Sequence, residues 1–435
     1  MAPRSIAAVF VVALCALASA GAAARPMSRD ASELPAEATF LPTYPNPWDK
    51  PYQNEKPLIG ILTQACHYCP GRSYVAGAFV KWVEAAGGRP VPIRFYASDA
   101  ELFRLFKSVN GLIFPGGLTD LWMDDPYVVA ARKLWTWARE ANDAGRLFPI
   151  HGTCLGFQLL HLLEANLSYV DALVPTDSVA YPSALDFDVP DADPSAPELP
   201  WATSTLFGNV SRRLVAALSS PADSIALENH MFGLPPSRYE EIPALGANWR
   251  MLNTAVDRKN VSYVATAEHR RYPFTATQWH PEKPPFEFGM KVIPHSLDAV
   301  AVSQALANAV VDVARRSPHV PESHEEEIAM LIYNYKPYFT LKDSVMDPSY
   351  DGPDMCFFFD DPHTEPDNVS IERAIRQVAQ AKRSIRASNN AANGPVLLAT
   401  PAPQTAEPLP PASSRMSTSF RGVSAIPAGR GVADM

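Results

Sequence analysis

Cys154 lies in the run HGTCLGFQLL (151–160), flanked by Gly152 and Gly156 at G-x-C-x-G spacing. A thiol attacks only as its thiolate, and a helix N-terminus favours that form through its unpaired amides and the positive end of its dipole. The spacing is the thiol counterpart of an elbow in which small neighbours let the chain turn sharply and present a nucleophile. An ordinary buried cysteine at a strand-to-helix junction is the alternative. A thiolate also needs a proton carrier. His280, in ATQWHPEKPP (276–285), is followed two residues on by Glu282, whose carboxylate is placed to orient the imidazole as the third member of a triad. The glycine pair in PGG (115–117) follows a short apolar run and brings backbone N–H groups near a substrate. With the amide of Leu155 it would form an oxyanion hole, a plain turn being the other reading.

The elements that must hold these residues alternate between strand and helix. LFPI (147–150) reads as a buried strand before Cys154, and Phe157, Leu159, Leu160 and Leu163 mark a helix after it. Upstream, PLIGILTQ (57–64) reads as a strand, 71–88 as an amphipathic helix ended by a glycine pair, and 90–96 as a strand. Ser98 and Glu101 form a capping box for a helix through Lys107, and GLIF (111–114) is again a strand. Asp125-Pro126 opens a helix with Tyr127, Ala130, Leu134 and Trp137 on one face. Residues 171–205 read as an irregular surface excursion. Alternation at 224–230, 263–269 and 274–280 suits antiparallel strands, and a helix follows through about 297–315. The expected fold is α/β, a mostly parallel central sheet with helices on both faces, whose sites gather at the carboxyl ends of strands.

The chain of 435 residues carries a formal charge of −9 and no basic stripe, which argues against a nucleic-acid partner. Residues 1–24 have one early positive charge, an apolar run from Ile6 to Ala18 and small residues after it, and read as a secretory signal peptide. No later stretch reads as a membrane span, so no membrane contact is expected in the mature form. Residues 25–55 read as a propeptide or linker, 56–345 as the catalytic domain, 346–386 as a C-terminal extension, and 387–435 as a disordered Pro/Ala/Ser tail. Sequons at Asn166, Asn209, Asn260 and Asn368 fit export and glycosylation. In an oxidising compartment an isolated thiol such as Cys154 needs a reason to stay reduced, and catalysis is one. Cys66-x-x-Cys69 lacks the second pair of a zinc site. These two read as structural or free thiols, with a disulfide between them as the alternative.

PGG, HGTCLGFQLL and QWHPEKPP in this order resemble the class I glutamine amidotransferase-like superfamily. The flanks PLIGILTQ, AAGGRPVPIR, IFPGG, QWHPEKPPFE and EEEIAMLIYNYKP (325–337) resemble the gamma-glutamyl hydrolase family, over about 56–342. The resemblance implies Cys154 as nucleophile, His280 as acid/base, Glu282 as supporting carboxylate, and Gly117 with Leu155 as oxyanion donors. The family's further functional histidine falls in an N-H-H or N-F-H stretch, and ENHMFG (228–233) offers His230 followed by Met231. His230 is thus a candidate for substrate binding. The implied activity is hydrolysis of gamma-glutamyl bonds in folate polyglutamates through a thioester, with no cofactor or metal, in a secreted, vacuolar or lysosomal setting. A homodimer is left open. The alternatives are a peptidase for other small gamma-glutamyl substrates and a catalytically silent binding protein of the same fold.

Overall fold

LIGIL, the first strand, is apolar throughout and buried at all five positions, as a parallel strand covered on both faces must be. The computed structural model describes Trp48 and residues 50–66, 72–189, 200–341 and 352–359. All lie in the first of two units, Met1–Ile385; the second, Arg386–Met435, falls outside the described residues, as do residues 1–24, expected as a signal peptide, Cys69 and Asn368.

In chain order the elements are β1 (Leu58–Leu62), β2 (Gln64–Ala65), β3 (Ser73–Ala76), α1 (Gly77–Ala85), β4 (Arg89–Ile93), α2 (Asp99–Ser108), β5 (Gly111–Phe114), α3 (Pro126–Asp143), β6 (Ile150–Thr153) and α4 (Leu155–Ala165). There follow α5 (Tyr169–Ala172), β7 (Val174–Ser183), α6 (Arg212–Leu218), β8 (Ala226–Gly233), α7 (Arg238–Glu241), α8 (Pro243–Asn248), β9 (Trp249–Val256), β10 (Ser262–His269) and β11 (Phe274–Thr277). The last are α9 (Leu297–Ala314), α10 (His324–Met330), β12 (Pro337–Phe339) and β13 (Met355–Phe359). Caps set several boundaries: the Ser98 side chain accepts from the Glu101 amide, Asp125 from Tyr127 and Ser296 from Ala299, each satisfying an amide the first helical turn leaves open.

The central sheet has the order β4-β1-β5-β6-β11-β10-β9, parallel from β4 to β11, with β10 and β9 antiparallel. Alternation along β1 divides the core between the two faces. Leu58 and Leu62 join the apolar cluster with α2, α3 and α4, and Ile59 and Ile61 join the one with α1 and α9. By length and composition α9 could cross a membrane, contrary to the sequence expectation for this part of the chain. It instead covers the sheet: Val302, Leu306 and Val310 are buried, and the Trp82 indole of α1 donates to the Ser303 carbonyl at 3.0 Å.

Several other expectations are corrected. Ser73–Ala76, expected as the start of a helix, is β3, because its backbone pairs with β2 and β13 before the helix begins. β11 is antiparallel to β10 as expected but also parallel to β6, and it is buried at all four positions as an interior strand must be. The strand at 226–233 does not continue the central sheet; it forms a ribbon with β7, which lies in the stretch expected to be irregular. β13 belongs to the sheet β12-β13-β3-β2, so the boundary drawn at 345 separates paired strands. Cys66, expected as a structural or free thiol, is disulfide-bonded.

Candidate active site

The carboxyl ends of four neighbouring parallel strands supply the site, and their order explains why residues far apart in sequence meet. β1 leads to Gln64, β5 to the PGG loop at 115–117, β6 to Cys154 and β11 to His280. The sharpest local feature is at Cys154, the N-cap of α4, with φ 54° and ψ −105°. Such a backbone is strained for any residue with a Cβ and persists only where the surroundings enforce it. They do so here by close packing. A Cβ on Gly156 would run into the Phe114 carbonyl oxygen, and one on Gly152 would lie 2.5 Å from the Gly156 carbonyl oxygen. The Cys154 amide donates to the Thr277 carbonyl at 2.7 Å, tying the elbow to β11. Both flanking glycines are therefore steric necessities, and Cys154 is held as a buried free thiol at the start of a helix.

His280 is buried three residues beyond β11, and its amide donates to the Leu227 carbonyl of β8 at 2.9 Å. Its Nδ1 is 2.7 Å from Glu282 Oε1. Its Nε2 is buried and makes no close hydrogen bond among the described residues, which leaves that nitrogen for the thiol and a substrate. Burial works against a charge on the ring, but the Glu282 carboxylate and then Cys154 outweigh it and push the imidazolium up to about 10. Glu282 is itself fully buried. Burial opposes its charge, and the His280 ring prevails and holds the carboxyl below its ordinary range. The proline between them does not prevent the contact.

Of the glycine pair, Gly116 is the one against Cys154 and His280: a Cβ there would lie 2.7 Å from His280 Cε1 and 3.2 Å from Cys154 Cβ. Gly117 lies against the Gln64 side chain, where its Cβ would be 2.5 Å from Oε1. The Leu155 amide, in the first turn of α4, has no intrahelical partner and stands next to Cys154. The sequence points to the glycine pair with Gly117 as the donor and does not point to Gln64. The polar glutamine ending the apolar run PLIGILTQ was the available signal.

His230 is buried in a different setting. Its Nε2 is 3.0 Å from Glu228 Oε2, its Nδ1 is 3.1 Å from Thr176 Oγ1, and Tyr263 packs edge-on at 4.7 Å. What β8 brings to Cys154 is backbone, the Asn229 carbonyl oxygen 3.7 Å from Sγ. Met231 beside it is half-buried. Among the described residues no group of three or more His, Cys, Asp or Glu could hold a metal ion.

The family model Peptidase C26 matches residues 57–165, which span β1 to the end of α4 and so include the elbow and PGG. Gamma-glutamyl hydrolase 1 of Arabidopsis thaliana is 35% identical over 72% of this chain and 88% of its own length. The gamma-glutamyl hydrolase of Bos taurus is 35% identical over 68% of this chain and 89% of its own. That of Homo sapiens is 34% identical over 66% and 86%. With a nucleophile elbow, a histidine–glutamate pair and a glycine loop converging at adjacent strand ends, and with relatives matched over most of their length, the chain belongs to the gamma-glutamyl hydrolase family.

Proposed function

We propose that this protein is a cysteine peptidase that hydrolyses gamma-glutamyl bonds, with folate polyglutamates as its substrates. The observation that carries the reading is the convergence of Cys154, His280 and Glu282. The Cys154 thiolate attacks the gamma-carbonyl carbon, and the oxygen gains the negative charge. Amides of the 116–117 loop and of Leu155 receive it. As the tetrahedral species collapses, the carbon–nitrogen bond breaks and His280 gives its proton to the leaving amine, producing a thioester. Water, deprotonated by the same ring, then attacks the thioester through a second oxyanion, and the thiolate is restored. Glu282 keeps the imidazole oriented and stabilises its charge.

The relatives named above carry gamma-glutamyl hydrolase as their name, which supports the bond type. The aromatic end of the substrate comes from the family resemblance. Incubating the purified protein with a pteroyl-oligo-gamma-glutamate, and separately with a gamma-glutamyl dipeptide, tests both parts by mass spectrometry of the products. Shortened pteroyl products made by the wild type and not by Cys154→Ala are expected. Cleavage of the dipeptide alone would favour a peptidase for other small gamma-glutamyl compounds, and cleavage of neither would favour a silent binding protein.

The same reading takes the chain through the secretory pathway to the cell exterior, a vacuole or a lysosome. Exposure of Asn166, Asn209 and Asn260 supports glycosylation on that route. A mobility shift after glycosidase treatment of protein from a eukaryotic host tests it.

A further inference from the structure

Gln64 is buried at the junction between β1 and β2, and it touches both ends of the loop that carries the glycine pair. Its Nε2 donates to the Pro115 carbonyl at 3.1 Å and to the Tyr127 hydroxyl at 2.9 Å. Its Oε1 accepts from the Thr119 hydroxyl. The Thr119 oxygen in turn accepts from the Ala65 amide at 2.9 Å, so the network closes on the strand it started from. Tyr127 is fully buried in the first turn of α3, whose Asp125 cap fixes its amide at 2.8 Å. Between these anchors the Gly117 backbone lies on the carboxamide with no room for a Cβ. One side chain thus spans the loop from Pro115 to Thr119 while Gly116 meets His280 and Cys154.

We infer that Gln64 is a positioning residue that holds the Gly116–Gly117 loop in the shape that receives the oxyanion. The inference rests on the reaction proposed above and names a part of the machinery that does not touch the reacting atoms. Its chemical basis is that the carboxamide offers donors on one side and an acceptor on the other. Glutamate has the same shape, but its carboxylate keeps the acceptor and loses both donors, and would face the Pro115 carbonyl oxygen with like charge. Burial raises the pKa of such a carboxyl, so acidification returns one O–H donor.

Gln64→Glu is therefore expected to lower kcat about 10- to 100-fold with KM within about twofold of wild type, and the defect should shrink as pH falls. Gln64→Leu should show a defect with no such pH rescue. Two further readings separate loop geometry from general damage. The rate at which iodoacetamide alkylates Cys154 should be unchanged, because the elbow and His280 are intact. Affinity for a gamma-glutamyl aldehyde, whose hemithioacetal oxygen occupies the hole, should fall in proportion to kcat. If neither Gln64 variant folds, Thr119→Val serves instead, with a smaller kcat loss and the same unchanged alkylation. Wild-type kcat and aldehyde affinity in these variants, or alkylation slowed as much as turnover, overturns the inference. Full turnover by Cys154→Ala would instead overturn the proposed reaction itself.

Discussion

Nδ1 of His280 lies 2.7 Å from Oε1 of Glu282, and both side chains are buried, so the carboxylate fixes which ring nitrogen is left for the thiol. The two residues should separate in a mutant series. His280→Ala removes the proton carrier and should cost at least ~10²–10⁴ in kcat/KM, the range of general acid–base catalysis. Glu282→Gln keeps an oxygen that can accept from the ring while surrendering the charge, and should cost less. Pre-steady-state acylation rates for both variants check this, and equal defects would make the carboxylate essential.

The same pair gives stability a defined pH dependence. The folded-state pKa of His280 is pushed up to about 10 from an ordinary value near 6.5. A raised pKa contributes stability that is fully present below about 6.5 and is lost as pH rises through about 10. The stability difference between wild type and His280→Asn should therefore narrow steadily from pH 6.5 to 10. Urea unfolding of both proteins across that window measures it, and a difference that widened with pH would refute the charged pairing.

Backbone strain at Cys154 predicts a stability order among its variants. At φ 54° and ψ −105° a residue with a Cβ is strained and glycine is not. Cys154→Gly should be more stable than Cys154→Ala by at least about 1 kcal/mol, because alanine keeps the strained Cβ and is also the poorer residue at an N-cap. Both variants should lose more than about 10³ in kcat, since nothing replaces the nucleophile. Calorimetry and product assay on the two proteins test the pair of statements.

Two truncations should behave oppositely. Ending the chain after Arg383 removes residues with few large apolar side chains, and Tm and kcat should stay near the wild-type values. Ending it after Leu341 removes β13 with buried Cys356, Phe357 and Phe359. It also removes Asp354, whose carboxylate accepts from the amides of Phe288 and Gly289 at 2.8 and 3.0 Å on the loop that continues from Glu282. At about 1.5–3 kcal/mol per buried phenylalanine, Tm should fall by at least about 6 °C. A thermal scan of the two truncated chains distinguishes them.

The chain itself determined the parts of this protein that depend on local rules. The apolar run GLIF before PGG specifies a buried strand, serine and aspartate caps specify helix starts, and G-x-C-x-G specifies a turn too tight for side chains at Gly152 and Gly156. The nearness of Glu282 to His280 is likewise local, a matter of two residues. The strand before Cys154, by contrast, is Ile150–Thr153 and takes only Ile150 from the expected run LFPI, because its pairing with β5 and β11 sets its bounds. Strand order was not legible, because neighbours in a sheet are chosen by the packing of whole helices on its faces and no single strand encodes its partner. Only the order β1-β5-β6-β11 brings Gln64, Gly116, Cys154 and His280 to one edge. The parallel pairing of β11 with β6, on the side away from its expected antiparallel neighbour β10, belongs to the same class, since a strand's own residue pattern carries no direction. β13 was read as part of an extension because its partner β3 lies nearly three hundred residues earlier, and pairing at that separation is decided by tertiary structure alone.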